Sequence, residues 1–399
     1  MSLVLAETIA GVKPSKTLAV SAKAAELRAQ GFDVINFGAG EPDFDTPENI
    51  KDAAVKAIRD GQTKYTAASG TIQLKSAVQN KLQRENGLHY ELNQLIINAG
   101  AKHTLFTLFQ TILNAGDEVL IPAPYWVSYP DMVALLRGRP VIVPTTAENN
   151  FEITVADLQK YITPKTKALV LNSPSNPTGS VYSREKLQAI ADFLAYKDLY
   201  IISDEIYEHF LYDGARFCSI AQLSEKIRAK TIIVNGVSKA YSMTGWRIGY
   251  AAGPEAVIQA MTMIQSQSLS NPTSIAQAAA VEALNGAQTS VAKMLAAFQE
   301  RRDLICQAFQ EIDGVACRCP QGAFYVFPEV SALYEKSFQG QKIRNSEDLA
   351  AALLENAHIA VVPGGSFGAE NYIRLSYACA PENIQRGLAR FKEFVQNLR

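Results

Sequence analysis

The sequence predicts an α/β fold, in which helices cover both faces of a mainly parallel sheet, together with a smaller α+β unit. Short apolar strands alternate with amphipathic helical patterns along most of the chain, as in βαβ units around a parallel sheet. The strands are continuously apolar rather than alternating, which indicates burial on both faces. Ligands of such sheets bind at the carboxyl ends of the strands, so polar residues that follow the apolar runs are candidate site residues.

The predicted strands of the main sheet are residues 95–98, 118–121, 168–171, 199–203 and 231–234. Pro122 ends the second strand, and the dipeptide Ser173-Pro174 ends the third. Helical patterns follow the first and third strands, at residues 102–113 and 184–196. The order strand, helix, strand is the basis for the parallel sheet.

The pattern changes after about residue 290. A long charged helix is predicted at 290–309, short strands at 323–327 and 358–362, and a closing helix at 381–398. The Gly- and Pro-rich stretch 38–47 is typical of a connection between units. We therefore expect a large domain over residues 48–290 and a smaller domain formed by residues 1–47 and 291–399.

Charge and hydropathy limit the classes of partner. The 399 residues include 38 Lys and Arg against 39 Asp and Glu, a formal net charge of −1, without the basic excess that binding to nucleic acid or anionic membrane needs. No window approaches the roughly 20 apolar residues of a membrane helix, and the N-terminus does not resemble a secretory signal. We expect a cytoplasmic protein with small-molecule partners, and neither nucleic acid nor membrane.

Cysteines and histidines do not predict a metal site. The five cysteines are scattered, and Cys317 and Cys319 are closer in sequence than the usual zinc-binding pairs. The four histidines are dispersed along the chain. We expect five reduced thiols in a reducing compartment.

Lys239 follows an apolar strand and Ser238, and Arg247 lies eight residues further on. Burial of an unpaired ammonium is costly, so a lysine beside a buried strand is expected to have a lowered pKa and to be nucleophilic toward carbonyl groups. Taken alone, this lysine also fits a surface loop.

Other polar residues follow predicted strands. Asp204 ends the strand at 199–203 and precedes Tyr207; such a carboxylate can hold a protonated ring nitrogen or cap a helix. Gly100 and Ala101 form a small-residue turn whose free N–H groups at a helix N-terminus suit a phosphate. Arg374 lies in an apolar strand pattern and requires an anionic partner.

Together these motifs resemble the class I aminotransferases that depend on pyridoxal 5′-phosphate (PLP). The lysine-site signature of that family is present as Gly236, Ser238, Lys239, Gly245, Arg247 and Gly249. The loop at 172–179 resembles its Asn-Pro-x-Gly loop, with Asn176 as the asparagine. The resemblance covers nearly the whole chain. It implies the fold type I of PLP-dependent transferases, with a mainly parallel sheet of the seven-stranded type in the large domain.

The resemblance also implies a role for each matched residue. Lys239 would hold the cofactor and then shuttle a proton, and Asp204 would keep the pyridine nitrogen protonated. Tyr207 and Asn176 would hydrogen-bond the phenolic oxygen, and Trp126 would stack on the ring. Without the resemblance, Trp126 could equally be an aromatic residue of the core. Lys102 is implied to bind the cofactor, and the implied ligands of the cofactor phosphate are Gly100, Ala101, Ser238, Arg247 and, from the neighbouring subunit, Tyr65. The last of these implies a homodimer with shared active sites.

The motifs at 13–17, 40–47, 124–129 and 243–247 resemble the bacterial and plastid branch Ib, which comprises aspartate aminotransferases and prephenate-accepting relatives. The resemblance implies that Arg374 and Gly40 bind the α-carboxylate, beside Trp126 and Asn176. Thr17 and Lys102 would bind the distal carboxylate. L-Aspartate is then the expected amino donor and 2-oxoglutarate the acceptor, with prephenate or aromatic substrates as the alternative.

Some other functions remain open, and others have little support in the sequence. The pair Gly38 and Gly40 lacks the third glycine of a dinucleotide fingerprint, and the chain has no P-loop. A β-lyase or decarboxylase would use the same Lys239 and Asp204, because the chemistry belongs to the cofactor. A regulator of the same fold, which binds PLP without turnover, usually has lost catalytic residues; here every matched position is filled.

Overall fold

Helices and strands alternate along most of the chain. The computed structural model describes residues 6–9 and 16–399, and only the backbone of Glu7 and of residues 16–18. The α-helices are α1 (Lys16–Ala29), α2 (Glu48–Arg59), α3 (Ile72–Asn86), α4 (Ala101–Ile112), α5 (Ser128–Leu135), α6 (Val155–Tyr161), α7 (Arg184–Leu194), α8 (Glu225–Arg228), α9 (Glu255–Ser268), α10 (Ser274–Asn285), α11 (Thr289–Phe309), α12 (Ser346–Ala357) and α13 (Pro381–Gln396). The strands are β1 (Ile35–Asn36), β2 (Leu95–Asn98), β3 (Glu118–Ala123), β4 (Arg139–Pro144), β5 (Thr166–Asn172), β6 (Tyr200–Asp204), β7 (Thr231–Gly236), β8 (Gly249–Ala252), β9 (Tyr325–Val326), β10 (Ser337–Phe338), β11 (Gln341–Lys342), β12 (Ile359–Ala360), β13 (Val362–Pro363) and β14 (Ile373–Ser376).

The central sheet has seven strands in the order β2-β8-β7-β6-β5-β3-β4. Strands β4, β3, β5, β6 and β7 are parallel to one another, whereas β8 is antiparallel to both β7 and β2. The mainly parallel, seven-stranded sheet predicted from the sequence is therefore confirmed.

Both faces of this sheet are buried. Val119 and Ile121 of β3 pack in one apolar cluster with α4, whereas Leu120 between them packs in another cluster with Leu158 of α6 and Leu187 of α7. Consecutive strand residues point to opposite faces, so helices on each face favour apolar residues at consecutive positions of a strand.

The prediction that Pro122 ends its strand is wrong. Strand β3 continues to Ala123, and Pro122 pairs in register with Val143 of β4. The pairing of β3 with β5 extends only to Leu120 and Leu169. Beyond that point β3 has one paired edge, and a proline is tolerated where no ladder hydrogen bond is lost.

Shorter strands form a second set. Strands β13, β14 and β9 make an antiparallel sheet in that order, and β1 pairs in parallel with β12. Their apolar residues pack with α11 and α13 around Phe298, Ile305 and Phe391. The predicted strand at 358–362 is divided into β12 and β13. The domain boundaries at 47/48 and 290/291 stay predictions.

Two whole-chain expectations concern thiols and membranes. All five cysteines are free in the structure, and their reduced state in a reducing compartment stays a prediction. Among the described residues, no helix combines the length and the apolar character needed to cross a bilayer.

Candidate active site

A cavity of about 430 Å³ lies at the carboxyl ends of β5, β6 and β7. This is the position expected for a ligand site in a mainly parallel sheet. The sequence-predicted residues that line it are Gly40, Ala101, Lys102, Trp126, Asn176, Asp204, Tyr207, Ser238, Lys239, Arg247 and Arg374. The fold thus brings together residues that are up to several hundred positions apart in the chain.

Two predicted site residues, Gly100 and Tyr65, do not line the cavity. Gly100 lies directly before Ala101 and packs against the Arg247 guanidinium. Tyr65 lies between α2 and α3, and 89% of it is exposed. The side chain of Thr17 is outside the described residues.

Lys239 comes three residues after β7 and is only partly exposed. Its Nζ donates a hydrogen bond of 2.5 Å to the carbonyl oxygen of Gly40. Burial lowers the pKa of Lys239 to about 8; Glu41 opposes this shift, and the cationic Arg374 adds to it. A fraction of the amine is therefore neutral, and nucleophilic, near neutral pH.

Asp204 is the last residue of β6, and 4% of it is exposed. Its Oδ2 accepts a hydrogen bond of 2.6 Å from the Tyr129 hydroxyl, and its Oδ1 accepts one of 3.3 Å from the backbone N–H of Ile206. Burial raises the pKa of Asp204 to about 6, although these donors and Lys239 act in the opposite direction. The result is a buried carboxyl group, held in one orientation at the cavity wall, that can pair with a cation.

The N-terminus of α4 has the features of an anion-binding site. Its N-cap is Gly100, with φ of +86°, and no side chain caps the first turn, so the first N–H groups remain free for a ligand. Arg247 Nη1 donates 2.7 Å to the carbonyl of Thr244, and Nη2 donates 3.3 Å to that of Ala99. A Cβ at Gly249 would lie 2.4 Å from the backbone nitrogen of Ala101, so glycine is required there for this close approach.

Arg374 lies in β14, and 2% of it is exposed. Its Nη1 donates 3.0 Å to Asn176 Oδ1 and its Nη2 donates 2.7 Å to the carbonyl of Gly38, while Nε has no partner among the described residues. These acceptors are neutral. A buried guanidinium held only by neutral oxygens favours an anionic ligand, above all a planar carboxylate.

The loop after β5 positions Asn176. The Oδ1 of Asn172 accepts a hydrogen bond of 2.9 Å from the Asn176 backbone N–H, and Asn172 Nδ2 donates 3.1 Å to the carbonyl of Asp204. Because Asn176 Oδ1 is bound to Arg374, the amide hydrogens on Nδ2 are available to the cavity.

Lys102 and Trp126 lie together at another part of the cavity wall. Lys102 Nζ is 4.9 Å from the centre of the Trp126 ring, a cation–π contact. Burial lowers the pKa of Lys102, and the nearby Arg247 lowers it further. Lys102 is thus a cationic group at the cavity wall, separate from Arg374, where a second negative group of a ligand can bind.

Two tyrosines were missed in the sequence. Tyr129 of α5 binds Asp204, and Tyr325 of β9 lies 2.8 Å from the Tyr207 hydroxyl. Both occur in stretches that read as apolar core, and both are indeed buried. The sequence position of Tyr129, inside the 124–129 motif, was the only available signal.

A second polar cluster lies outside the cavity, where ligand atoms of Glu85, Glu208 and His209 are within 4.8 Å of one another. The ammonium of the buried Lys81 forms ion pairs with both carboxylates. Arg84 also pairs with Glu85, at 2.6 Å. Lys81 and Arg84 together balance the two carboxylates, so we assign this cluster a structural role.

Comparison with known proteins identifies the family. Residues 33–391 match the sequence profile of the family described as aminotransferase class I and II. The chain belongs to this family.

Individual relatives match this chain over nearly its whole length. An aspartate aminotransferase of Bacillus sp. (strain YM-2) is 50% identical over 99% of this chain and 100% of its own. A probable aspartate/prephenate aminotransferase of Rickettsia bellii is 49% identical over 98% of each chain. The solved structure of aspartate aminotransferase from Thermus thermophilus with maleate superposes with a TM-score of 0.93 at 44% identity, and covers 98% of this chain and 100% of that one.

Proposed function

We propose that this protein is a PLP-dependent aspartate aminotransferase, which transfers the amino group of L-aspartate to 2-oxoglutarate and gives oxaloacetate and L-glutamate. The observation that carries the proposal is the grouping of Lys239, Asp204 and Arg374 around one cavity. They supply a nucleophilic amine, a buried carboxyl group and a guanidinium that lacks an anion, which are the groups that amino transfer needs.

The donor set supports the fit of PLP. The uncapped N-terminus of α4, the Ser238 hydroxyl and the Arg247 guanidinium are suited to a phosphate dianion. Trp126 is suited to stack on the ring, and Asp204 to pair with the ring nitrogen. The amide of Asn176 and the hydroxyl of Tyr207 are suited to the phenolic oxygen.

When bound, PLP supplies an electron sink for the bond that breaks at the substrate's α-carbon. Lys239 would take up the α-proton of the substrate, because its lowered pKa of about 8 leaves part of the amine neutral. Asp204 would pair with the protonated pyridine nitrogen of the bound cofactor. Both groups are fixed by their own hydrogen bonds, so the reacting atoms are positioned before the chemistry starts.

Two cationic residues besides Lys239 and Arg247 favour a dicarboxylic substrate. Arg374 binds the α-carboxylate through its fork of donors. Lys102, with Thr17, binds the distal carboxylate. The names of the relatives support aspartate, and the dicarboxylate maleate in the Thermus structure supports a site of this kind.

A second candidate is the transfer of an amino group to prephenate. The Rickettsia relative, at 49% identity, is named a probable aspartate/prephenate aminotransferase. The same Lys102 and Thr17 could bind the ring carboxylate of prephenate, which makes one protein with both activities chemically consistent.

We also propose a homodimer in which Tyr65 reaches the cofactor phosphate of the other subunit. The 89% exposure of Tyr65 and its position away from its own cavity support this role. Residues 1–47 and 291–399 are proposed as the smaller domain, which carries Arg374 and closes on the dicarboxylate.

The test is a direct product analysis by NMR. PLP-loaded protein is mixed with L-aspartate and either 2-oxoglutarate or prephenate, and all products are followed in time. Glutamate and oxaloacetate in equal amounts support the proposal, and arogenate adds the second activity. Release of pyruvate or CO₂ by the enzyme itself would assign a β-lyase or decarboxylase instead.

A further inference from the structure

Tyr325 connects the two groups of strands at the cavity. It lies in β9, next to β14, where it pairs in register with Ser376, two residues after Arg374. The side chain is fully buried, yet it lines the cavity. Neither the lysine-site signature nor the other matched motifs include this residue.

The Tyr325 side chain contacts three predicted site residues. Its hydroxyl is 2.8 Å from the hydroxyl of Tyr207, and its ring centre is 4.5 Å from Cζ of Arg374. The hydroxyl also lies against Gly40, where a Cβ would come within 3.0 Å of it.

The direction of the tyrosine–tyrosine hydrogen bond follows from the number of protons. A hydroxyl has one proton to donate. If Tyr207 donates its proton into the cavity, to the phenolic oxygen of the cofactor, then Tyr325 must donate to Tyr207. A hydroxyl that accepts a hydrogen bond becomes a stronger donor in its own bond.

We propose that Tyr325 is a positioning residue with two functions, which rest on the proposed PLP-dependent activity. Its hydroxyl directs the Tyr207 proton toward the phenolic oxygen of the cofactor. Its ring stacks on the Arg374 guanidinium and holds that group ready for the substrate α-carboxylate. One side chain thus couples the cofactor site on the central sheet to the carboxylate site on β14.

The two functions can be separated by two substitutions. Tyr325→Phe keeps the ring on Arg374 and removes only the hydroxyl, whereas Tyr325→Leu removes both. Tyr182→Phe is the matched control, because Tyr182 is also buried and its hydroxyl accepts a hydrogen bond of 2.8 Å from the backbone of Ile153, away from the cavity.

The first readout is the pH titration of the visible absorption of the bound cofactor. A weaker hydrogen bond to the phenolic oxygen destabilises the negative charge on that oxygen. The pKa of the chromophore, which is the bound cofactor, should therefore rise by about 0.5 to 1 unit in Tyr325→Phe. In this variant kcat should fall about 3- to 10-fold, with KM for aspartate and the maleate inhibition constant within about twofold of wild type. Tyr325→Leu should show the same spectral shift and bind maleate about 10-fold more weakly.

A double-mutant cycle tests whether the hydroxyl acts through Tyr207. In a Tyr207→Phe background, Tyr325→Phe should not move the chromophore pKa further. A second full shift in that background, or a wild-type titration and kcat in Tyr325→Phe alone, would overturn the inference. Wild-type protein that lacks a cofactor absorption band would instead reject the proposed function, so the two failures are distinguishable.

Discussion

The hydroxyl of Tyr129 donates a hydrogen bond of 2.6 Å to Oδ2 of Asp204, and both side chains are buried. Burial favours the neutral carboxylic acid and outweighs the opposing interactions, so the pKa of Asp204 is raised to about 6. The tyrosine acts against this effect, because it donates to the charged form. Tyr129 therefore helps to keep Asp204 ionised, as the proposed pairing with the ring nitrogen of PLP requires.

Tyr129→Phe should impair catalysis without loss of the fold. Loss of one donor raises the pKa of Asp204, so the shared proton shifts from the ring nitrogen to the carboxylate and the electron sink weakens. We expect kcat to fall about 10-fold, with KM for aspartate nearly unchanged. Steady-state kinetics measure this effect, with the exposed Tyr196→Phe as control. A wild-type kcat in Tyr129→Phe would show that this hydrogen bond does not matter for turnover.

Lys239→Met should stabilise the cofactor-free protein in a pH-dependent way. The pKa of Lys239 is about 8 in the folded chain, against an ordinary value of 10.5. Below about pH 8 the folded state contains a desolvated ammonium, which lowers the free energy of unfolding; this penalty fades as the pH approaches 10.5, where the amine is neutral in both states.

Thermal melts at about pH 7 and about pH 9.5 measure the difference between the two proteins. The gain in Tm of Lys239→Met over wild type should be larger at the lower pH. Lys293→Met, on the exposed face of α11, should give no such trend. Equal gains at both pH values would argue against a lowered lysine pKa.

Arg374→Lys should weaken substrate binding. A lysine keeps the charge but cannot reproduce the fork that contacts Asn176 Oδ1 and the Gly38 carbonyl. We expect KM for aspartate to rise about 30- to 100-fold. The control is Arg386→Lys, which affects an exposed ion pair with Asp33. A rise in KM below about threefold would mean that the α-carboxylate binds elsewhere.

Lys102→Met should change substrate preference rather than abolish activity. The substitution keeps an apolar chain beside Trp126 and removes the charge proposed for the distal carboxylate. The kcat/KM for aspartate should fall about 10- to 100-fold, whereas that for phenylalanine, which lacks the second carboxylate, should change little. Competition assays with both amino acids give the ratio directly, and parallel losses for both would contradict the assignment.

The sequence was most informative where burial is complete. The apolar runs predicted β2, β5 and β7 closely, because helices on both faces favour apolar residues along most of each strand. Strand β4 was missed because it is a partly exposed edge strand, and β8 because it is a four-residue run of mostly small side chains.

Motifs predicted the cavity residues that lie at or shortly after the carboxyl ends of strands, such as Asp204 and Lys239. They could not predict Tyr129 or Tyr325, since a tyrosine within an apolar stretch has the same pattern whether it packs in the core or donates to a site residue. Its partner is fixed only by tertiary contacts, as in the pairing of β9 with β14.

The most direct test of the central claim is the visible spectrum of the PLP-loaded protein during titration with L-aspartate. The absorption band of the Lys239-bound cofactor should disappear, a band at shorter wavelength should replace it, and 2-oxoglutarate should restore the first. Lys239→Ala, which cannot hold the cofactor covalently, should lack the initial band. A wild-type band that aspartate leaves unchanged would contradict aspartate amino transfer and the assignment of Lys102 and Arg374 as its two carboxylate anchors.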